Sequence, residues 1–94
     1  MYGTIFTLKV KPGHEEQLIQ EIDRGNPKGM IAWFLMKPDN KDGDLIGVAV
    51  FESKEAHIAN SNSSEQNESF SKVMEHIDAE PTWTDGEFIA GAVT

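Results

Sequence analysis

Two stretches, Met30-Ile31-Ala32-Trp33-Phe34-Leu35-Met36 and Leu45-Ile46-Gly47-Val48-Ala49-Val50-Phe51, carry no polar residue at any position. A strand with one wet face alternates apolar and polar residues, because successive side chains point to opposite sides. These runs do not alternate, so both of their faces require cover. The intervening Lys37-Pro38-Asp39-Asn40-Lys41-Asp42-Gly43-Asp44 is rich in residue types that suit tight turns. The two runs therefore read as antiparallel neighbours joined by a hairpin link.

Elements on either side complete the plan. Tyr2 to Lys11 alternates, with Tyr2, Thr4, Phe6, Leu8 and Val10 on one side and Gly3, Ile5, Thr7 and Lys9 on the other, so it reads as a first strand ended by Pro12-Gly13. His14 to Arg24 carries Leu18, Ile19 and Ile22 on one stripe and acids in its first turn, as an amphipathic helix does. Gly25-Asn26-Pro27-Lys28-Gly29 stops it. Ser53 is a helix cap for Lys54 to Asn60, and the Asn60-to-Ser64 patch then interrupts the helix. Ser63 with Gln66 forms a capping-box pattern for a second piece running to about Ile77, whose Phe70, Val73, Met74 and Ile77 share one face. Pro81 bars continuation, and Trp83 to Val93 reads as a last strand with a turn or bulge at Asp85-Gly86.

The order β-α-β-β-α-β is the split βαβ, or ferredoxin-like, plan: one α+β domain over residues 1–94, with a four-stranded antiparallel sheet and its helices on one face. Right-handed crossovers put both helices on the same side of the sheet. Nothing in the chain remains to cover the other side. Burying ~700 Å² of apolar surface per subunit at ~25 cal/mol per Å² would gross about 17 kcal/mol before association costs. The expected occupant is a second copy, sheet face against sheet face about a two-fold axis.

Charge and composition exclude other classes. Sixteen acidic against eight basic residues give a formal charge of −8, which disfavours nucleic acid and anionic membrane surfaces. There is no cysteine, hence no disulfide, thiolate site or thiol nucleophile. No apolar run reaches the roughly 18 residues of a membrane span, and the opening Met1-Tyr2-Gly3-Thr4 lacks the pattern of a leader. A cytoplasmic protein is expected. Asn62-Ser63-Ser64 and Asn67-Glu68-Ser69 match the glycosylation pattern by chance on that reading. Asp39 to Asp44 fails the calcium-loop pattern, because its glycine is displaced relative to the acids and no Glu closes it.

The element order, the apolar third strand running into Phe51-Glu52-Ser53-Lys54-Glu55-Ala56, the broken second helix and the tail Pro81-Thr82-Trp83-Thr84-Asp85-Gly86-Glu87 together resemble the dimeric α/β-barrel superfamily. Within it, the chain is most similar to the antibiotic-biosynthesis-monooxygenase-like domains. The resemblance implies a homodimer with a pocket between sheet and helices of each subunit. It also implies a cofactor-free oxygenase acting on a small aromatic or quinol-like molecule. The haem-degrading branch of the superfamily places Asn, Trp and His where this chain has Phe6, Asn60 and Phe70, so haem breakdown is not expected. The branch acting on aromatic substrates pairs an Asn with a Trp early in the second helix; Asn60 or Asn62 matches the first, and no Trp accompanies either.

Several side chains have the chemistry for such a site, each with a plainer reading beside it. His57, early in the second helix, is a candidate base for a phenol or enol, or else a half-exposed surface histidine. Asn60 and Asn62 are candidates to orient a carbonyl or oxyanion, or else they satisfy backbone groups at the helix break. Trp33 and Trp83 have flat faces for a ligand, although Trp33 within an all-apolar strand equally suits core or interface packing. Tyr2 offers the one phenol. His76 is a pocket candidate beside an apolar stripe, but no second histidine stands at ligand spacing, so no metal centre is expected. His14 lies among acids and reads as solvated. A ligand-binding module and a purely structural dimer remain the alternatives to an enzyme.

Overall fold

The computed structural model describes residues 1–23, 27–40 and 42–94. In chain order it contains β1 (Tyr2–Leu8), α1 (Glu15–Ile22), β2 (Met30–Met36), β3 (Leu45–Phe51), α2 (Lys54–Ser61), α3 (Ser64–Met74) and β4 (Thr82–Glu87). The four strands form one sheet in the order β2-β3-β1-β4, every neighbouring pair antiparallel. This is the ferredoxin-like arrangement expected from the element order.

Register decides which side chains share a face. Leu8 stands opposite Leu45, Phe6 opposite Gly47 and Trp83, Thr4 opposite Ala49 and Asp85, and Tyr2 opposite Phe51 and Glu87. Trp33 and Leu35 of β2 join this face opposite Ala49 and Gly47. Leu8, Leu45, Leu18, Val73 and Ile77 form its buried cluster, so α1 and α3 cover the end of the sheet where β1 finishes. Phe51, also fully buried, lies at the other end under α2. Gly47 is required there: a Cβ on it would strike the Phe6 ring, which lies across β3 at that point.

Among the described residues, the opposite face carries no helix and is bare but for Phe88, whose ring lies over its Gly3 end. It presents Ile46, Val48 and Val50 of β3, Ile5 of β1, and Phe34 and Met36 of β2, the last two 63% and 54% exposed.

Local chemistry explains the helix ends. The Ser53 hydroxyl accepts from the Ala56 N–H and the Ser63 hydroxyl from the Gln66 N–H, both at 3.1 Å. Only half of the expected capping box forms, because the Gln66 side chain accepts from the Asn60 amide and does not return to Ser63. α2 has no buried residue; α1 and α3 have one each, Leu18 and Val73.

Several boundaries differ from those the sequence implies. β1 ends at Leu8, and Val10 makes a separate antiparallel bridge to Ile77. α3 stops at Met74, three residues short, because the chain turns there to form that bridge. The last strand ends at Glu87 and not at Val93; Ile89 and Val93 are 91% and 99% exposed. Asp85-Gly86 is regular strand, with Gly86 opposite Gly3, and the irregularity falls in β2 between Met30 and Ala32. The expected helix end at Arg24, the Gly25-Asn26 part of its stop, and Lys41 of the hairpin link lie outside the described residues. In the rest of that link the Asn40 side chain accepts from the Asp42 N–H at 3.1 Å, an Asx turn.

Candidate active site

At the Tyr2 end of the sheet, the first helix after β3 brings a titratable ring against aromatic walls. Capping at Ser53 starts α2 so that His57, on its first turn, faces the sheet. Its ring centre lies 5.4 Å from that of Tyr2 and 5.2 Å from that of Phe51, and its side chain is 14% exposed. Strand alternation adds the rest. Asp85 and Trp83 point to the same face of β4, and Thr4 and Phe6 to that face of β1. The Phe6 and Trp83 rings are 5.3 Å apart, and Phe70 of α3 closes to 5.9 Å from Trp83.

His57 Nε2 is 3.8 Å from Asp85 Oδ1, within ion-pair reach and beyond a direct hydrogen bond. His57 Nδ1 is buried and has no hydrogen-bond partner among the described residues. The carboxylate draws the ring proton toward Nε2, which leaves Nδ1 as an acceptor. Nδ1 is unpaired in either tautomer, and only the Nε2–H form directs its N–H toward the Asp85 charge. The arrangement can therefore take a proton, or a hydrogen bond, at Nδ1. Thr4, the one buried polar residue of the floor, is committed elsewhere: its hydroxyl donates to the Thr84 carbonyl at 3.3 Å.

A depression of about 320 Å³ opens beside this cluster, lined by Met1, Tyr2, Ser53, Lys54 and Glu87. That volume is in the range of small-molecule sites. The Lys54 ammonium lies over the Tyr2 ring, 5.9 Å from its centre.

The fold brings together His57 and Tyr2 of the residues singled out in the sequence, with Trp83 at the open side. Asn60 stands one turn beyond His57 and is half-buried; its side-chain amide donates to Gln66 at 3.4 Å, and its main-chain carbonyl accepts from the Ser63 hydroxyl at 2.9 Å. Asn62 is the exposed C-cap of α2. Trp33 lies on β2, three strands from Trp83 and so about 14 Å away across the sheet. His76 is at the opposite end, where its Nδ1 meets that of His14 at 3.0 Å. His14 is accordingly half-buried and paired, not solvated. Asp85 was legible only as a turn residue, and Lys54 and Phe70 only as surface and core. The alternation Trp83-Thr84-Asp85, extended from β1 across the register, is the signal that places Asp85 opposite Thr4.

No family model matches the sequence, and no curated protein matches it. Solved structures do match. A protein from Nitrosomonas europaea provisionally named an antibiotic biosynthesis monooxygenase superposes with a TM-score of 0.78 at 10% identity, over 96% of this chain and 100% of that one. One from Caulobacter crescentus with the same provisional name gives 0.79 at 14%, over 95% and 90%. Rv0793 from Mycobacterium tuberculosis gives 0.77 at 16%, over 98% of both. At such identities the likeness is one of fold: the chain has the fold of the antibiotic-biosynthesis-monooxygenase-like domains. Among the described residues, no helix is long and apolar enough to cross a membrane.

Proposed function

We propose that the protein is a cofactor-independent, monooxygenase-like enzyme that acts on a small aromatic or quinol-like hydroxylated substrate. The observation that carries this reading is the buried, unpartnered Nδ1 of His57 between the Tyr2 and Phe51 rings, with Asp85 facing the other ring nitrogen. In this chemistry His57 takes the substrate's hydroxyl proton, and the resulting anion passes an electron to dioxygen. One oxygen atom enters the substrate; the other leaves as water with the two hydrogens the substrate loses. The protein's part is to hold the ring against Tyr2 in the depression beside His57, to accept the proton, and to limit water. Asn60, one turn from His57, is the proposed orienting group.

Oxygen uptake with a panel of hydroquinones tests this. His57→Ala is expected to lower turnover by about 10²- to 10⁴-fold, the usual worth of a positioned base. Ligand binding, read by tryptophan fluorescence, is expected to persist. Unchanged turnover removes the role of His57. Binding without any turnover in the parent protein favours the alternative, a non-catalytic small-ligand module.

The same reading includes a homodimer through the bare sheet face. Supporting it is the contiguous apolar surface of Ile5, Phe34, Met36, Ile46, Val48 and Val50, of the kind that marks interfaces. Sedimentation is expected to give about twice the 10.4 kDa chain mass. Phe34→Asp, which alters a side chain already largely exposed within the subunit, is expected to yield folded single chains. A parent protein that sediments as single chains at micromolar concentration would remove the dimer from the reading.

A further inference from the structure

His14 breaks a local rule. It occupies the N-cap of α1, where Ser, Thr, Asp and Asn are favoured because their side chains accept from the first free N–H groups. The His14 side chain makes no such bond. Its ring turns instead toward His76, 62 positions on, with the two Nδ1 atoms 3.0 Å apart and the ring centres 5.3 Å apart. Local rules are broken most often where a site requires it.

The backbone around both rings is stapled. Lys11 N–H donates to the His76 carbonyl at 2.9 Å, and Asp78 N–H to the Lys9 carbonyl at 2.7 Å. His14 N–H donates to the Lys11 carbonyl at 3.0 Å, and His76 N–H to the Val73 carbonyl at 3.0 Å. The bridge between Val10 and Ile77 lies within the same staple. Two half-buried imidazoles, tilted 48° to one another, are thus brought nitrogen to nitrogen by elements that the main chain ties together, in advance of any ligand.

We propose that His14 and His76 form a two-imidazole site for a borderline divalent cation of the Zn²⁺ class. Neutral imidazole suits Zn²⁺, Cu²⁺ and Ni²⁺, and does not suit Mg²⁺ or Ca²⁺. Two imidazoles on one tetrahedral ion at about 2.0–2.1 Å keep their nitrogens about 3.3–3.4 Å apart. The observed 3.0 Å is the same pair closed on a shared proton, one ring donating and the other accepting. Metal uptake displaces that proton, which the donating ring regains from water at its own Nε2, so that both rings ligate as neutral imidazoles through Nδ1 and the gap widens by about 0.3–0.4 Å. Among the described residues no third ligating side chain joins the pair, so water completes the shell. The formal charge of −8 favours a cation at the surface. Bound metal would clip the start of α1 to the exit of α3 and so raise the melting temperature.

Calorimetric titration and thermal melting of the full chain with Zn²⁺ alone test this. One equivalent per chain and a rise in melting temperature are expected, with tighter uptake of Cu²⁺ and no effect of Mg²⁺. His76→Ala is expected to weaken Zn²⁺ binding at least tenfold. His14→Asn removes the imidazole at a position whose side chain makes no cap bond, so it is expected to melt close to the parent without metal and to lose the metal-dependent rise. His57→Ala is expected to bind as the parent does. The proposal is overturned if the parent takes up no Zn²⁺ below millimolar concentration, or if His14→Asn and His76→Ala bind as tightly as the parent.

Discussion

Leu18→Ala is expected to cost about 2–5 kcal/mol of folding stability, a large share of the roughly 5–15 kcal/mol available to a domain of ordinary size. Leu18 is wholly buried and is the one buried residue of α1. It packs with Leu8 and Leu45 of the sheet, with Val73 of α3 and with Ile77 just beyond it. Truncation therefore leaves a void at the point where three elements meet, and the main chain around it cannot collapse without moving the sheet. Urea unfolding is the measurement: the midpoint should fall steeply with little change in slope. Ile19→Ala, one residue along the same helix and largely exposed, is the control and should cost under about 1 kcal/mol. Equal effects at the two positions would show that α1 is not anchored through Leu18.

Gly3→Ala is expected to cost about 3 kcal/mol or more, although it adds one methyl group. A Cβ at Gly3 would overlap the Ala49 carbonyl oxygen and would lie 2.9 Å from the Phe88 ring. A side chain can turn aside, whereas the Ala49 carbonyl belongs to the backbone of the strand paired with β1. Relief requires the two strands to part at the centre of the sheet. Gly86 stands directly opposite Gly3 on the other neighbouring strand, and a Cβ there meets nothing within 4 Å. Gly86→Ala should therefore change stability by no more than about 0.5 kcal/mol. Far-ultraviolet circular dichroism during thermal melting distinguishes the two variants.

The architecture was legible because its signals are periodic and local. The unbroken apolar runs Met30–Met36 and Leu45–Phe51 became β2 and β3 at those bounds, and Ser53 and Ser63 cap the helices that follow them. Long-range contacts set what was not legible. Trp83 to Val93 had enough alternation to suggest a long strand, but its ladder with β1 ends at Glu87, with one last bond from the Phe88 N–H to the Met1 carbonyl at 2.9 Å. The same limit applies to side chains that act in pairs. His57 was recognisable from its place in α2, whereas its companion Asp85 is 28 positions away and depends on strand register. His14 and His76 are separated by 62 positions and meet only because the segment after β1 and the exit of α3 pair briefly at Val10 and Ile77.

The helix that carries His57 contributes nothing fully buried to the interior. The other two helices are each moored by a buried aliphatic side chain. α2 is held instead by a serine at each junction and by half-buried contacts over Tyr2 and Phe51. Segments with so little apolar anchorage detach at lower free energy than the rest of a fold. His57 Nδ1 is sealed from solvent when α2 is seated. Lifting of this one short helix is thus the natural doorway to the ring, and the doorway can swing while the hydrophobic interior under α1 and α3 stays shut.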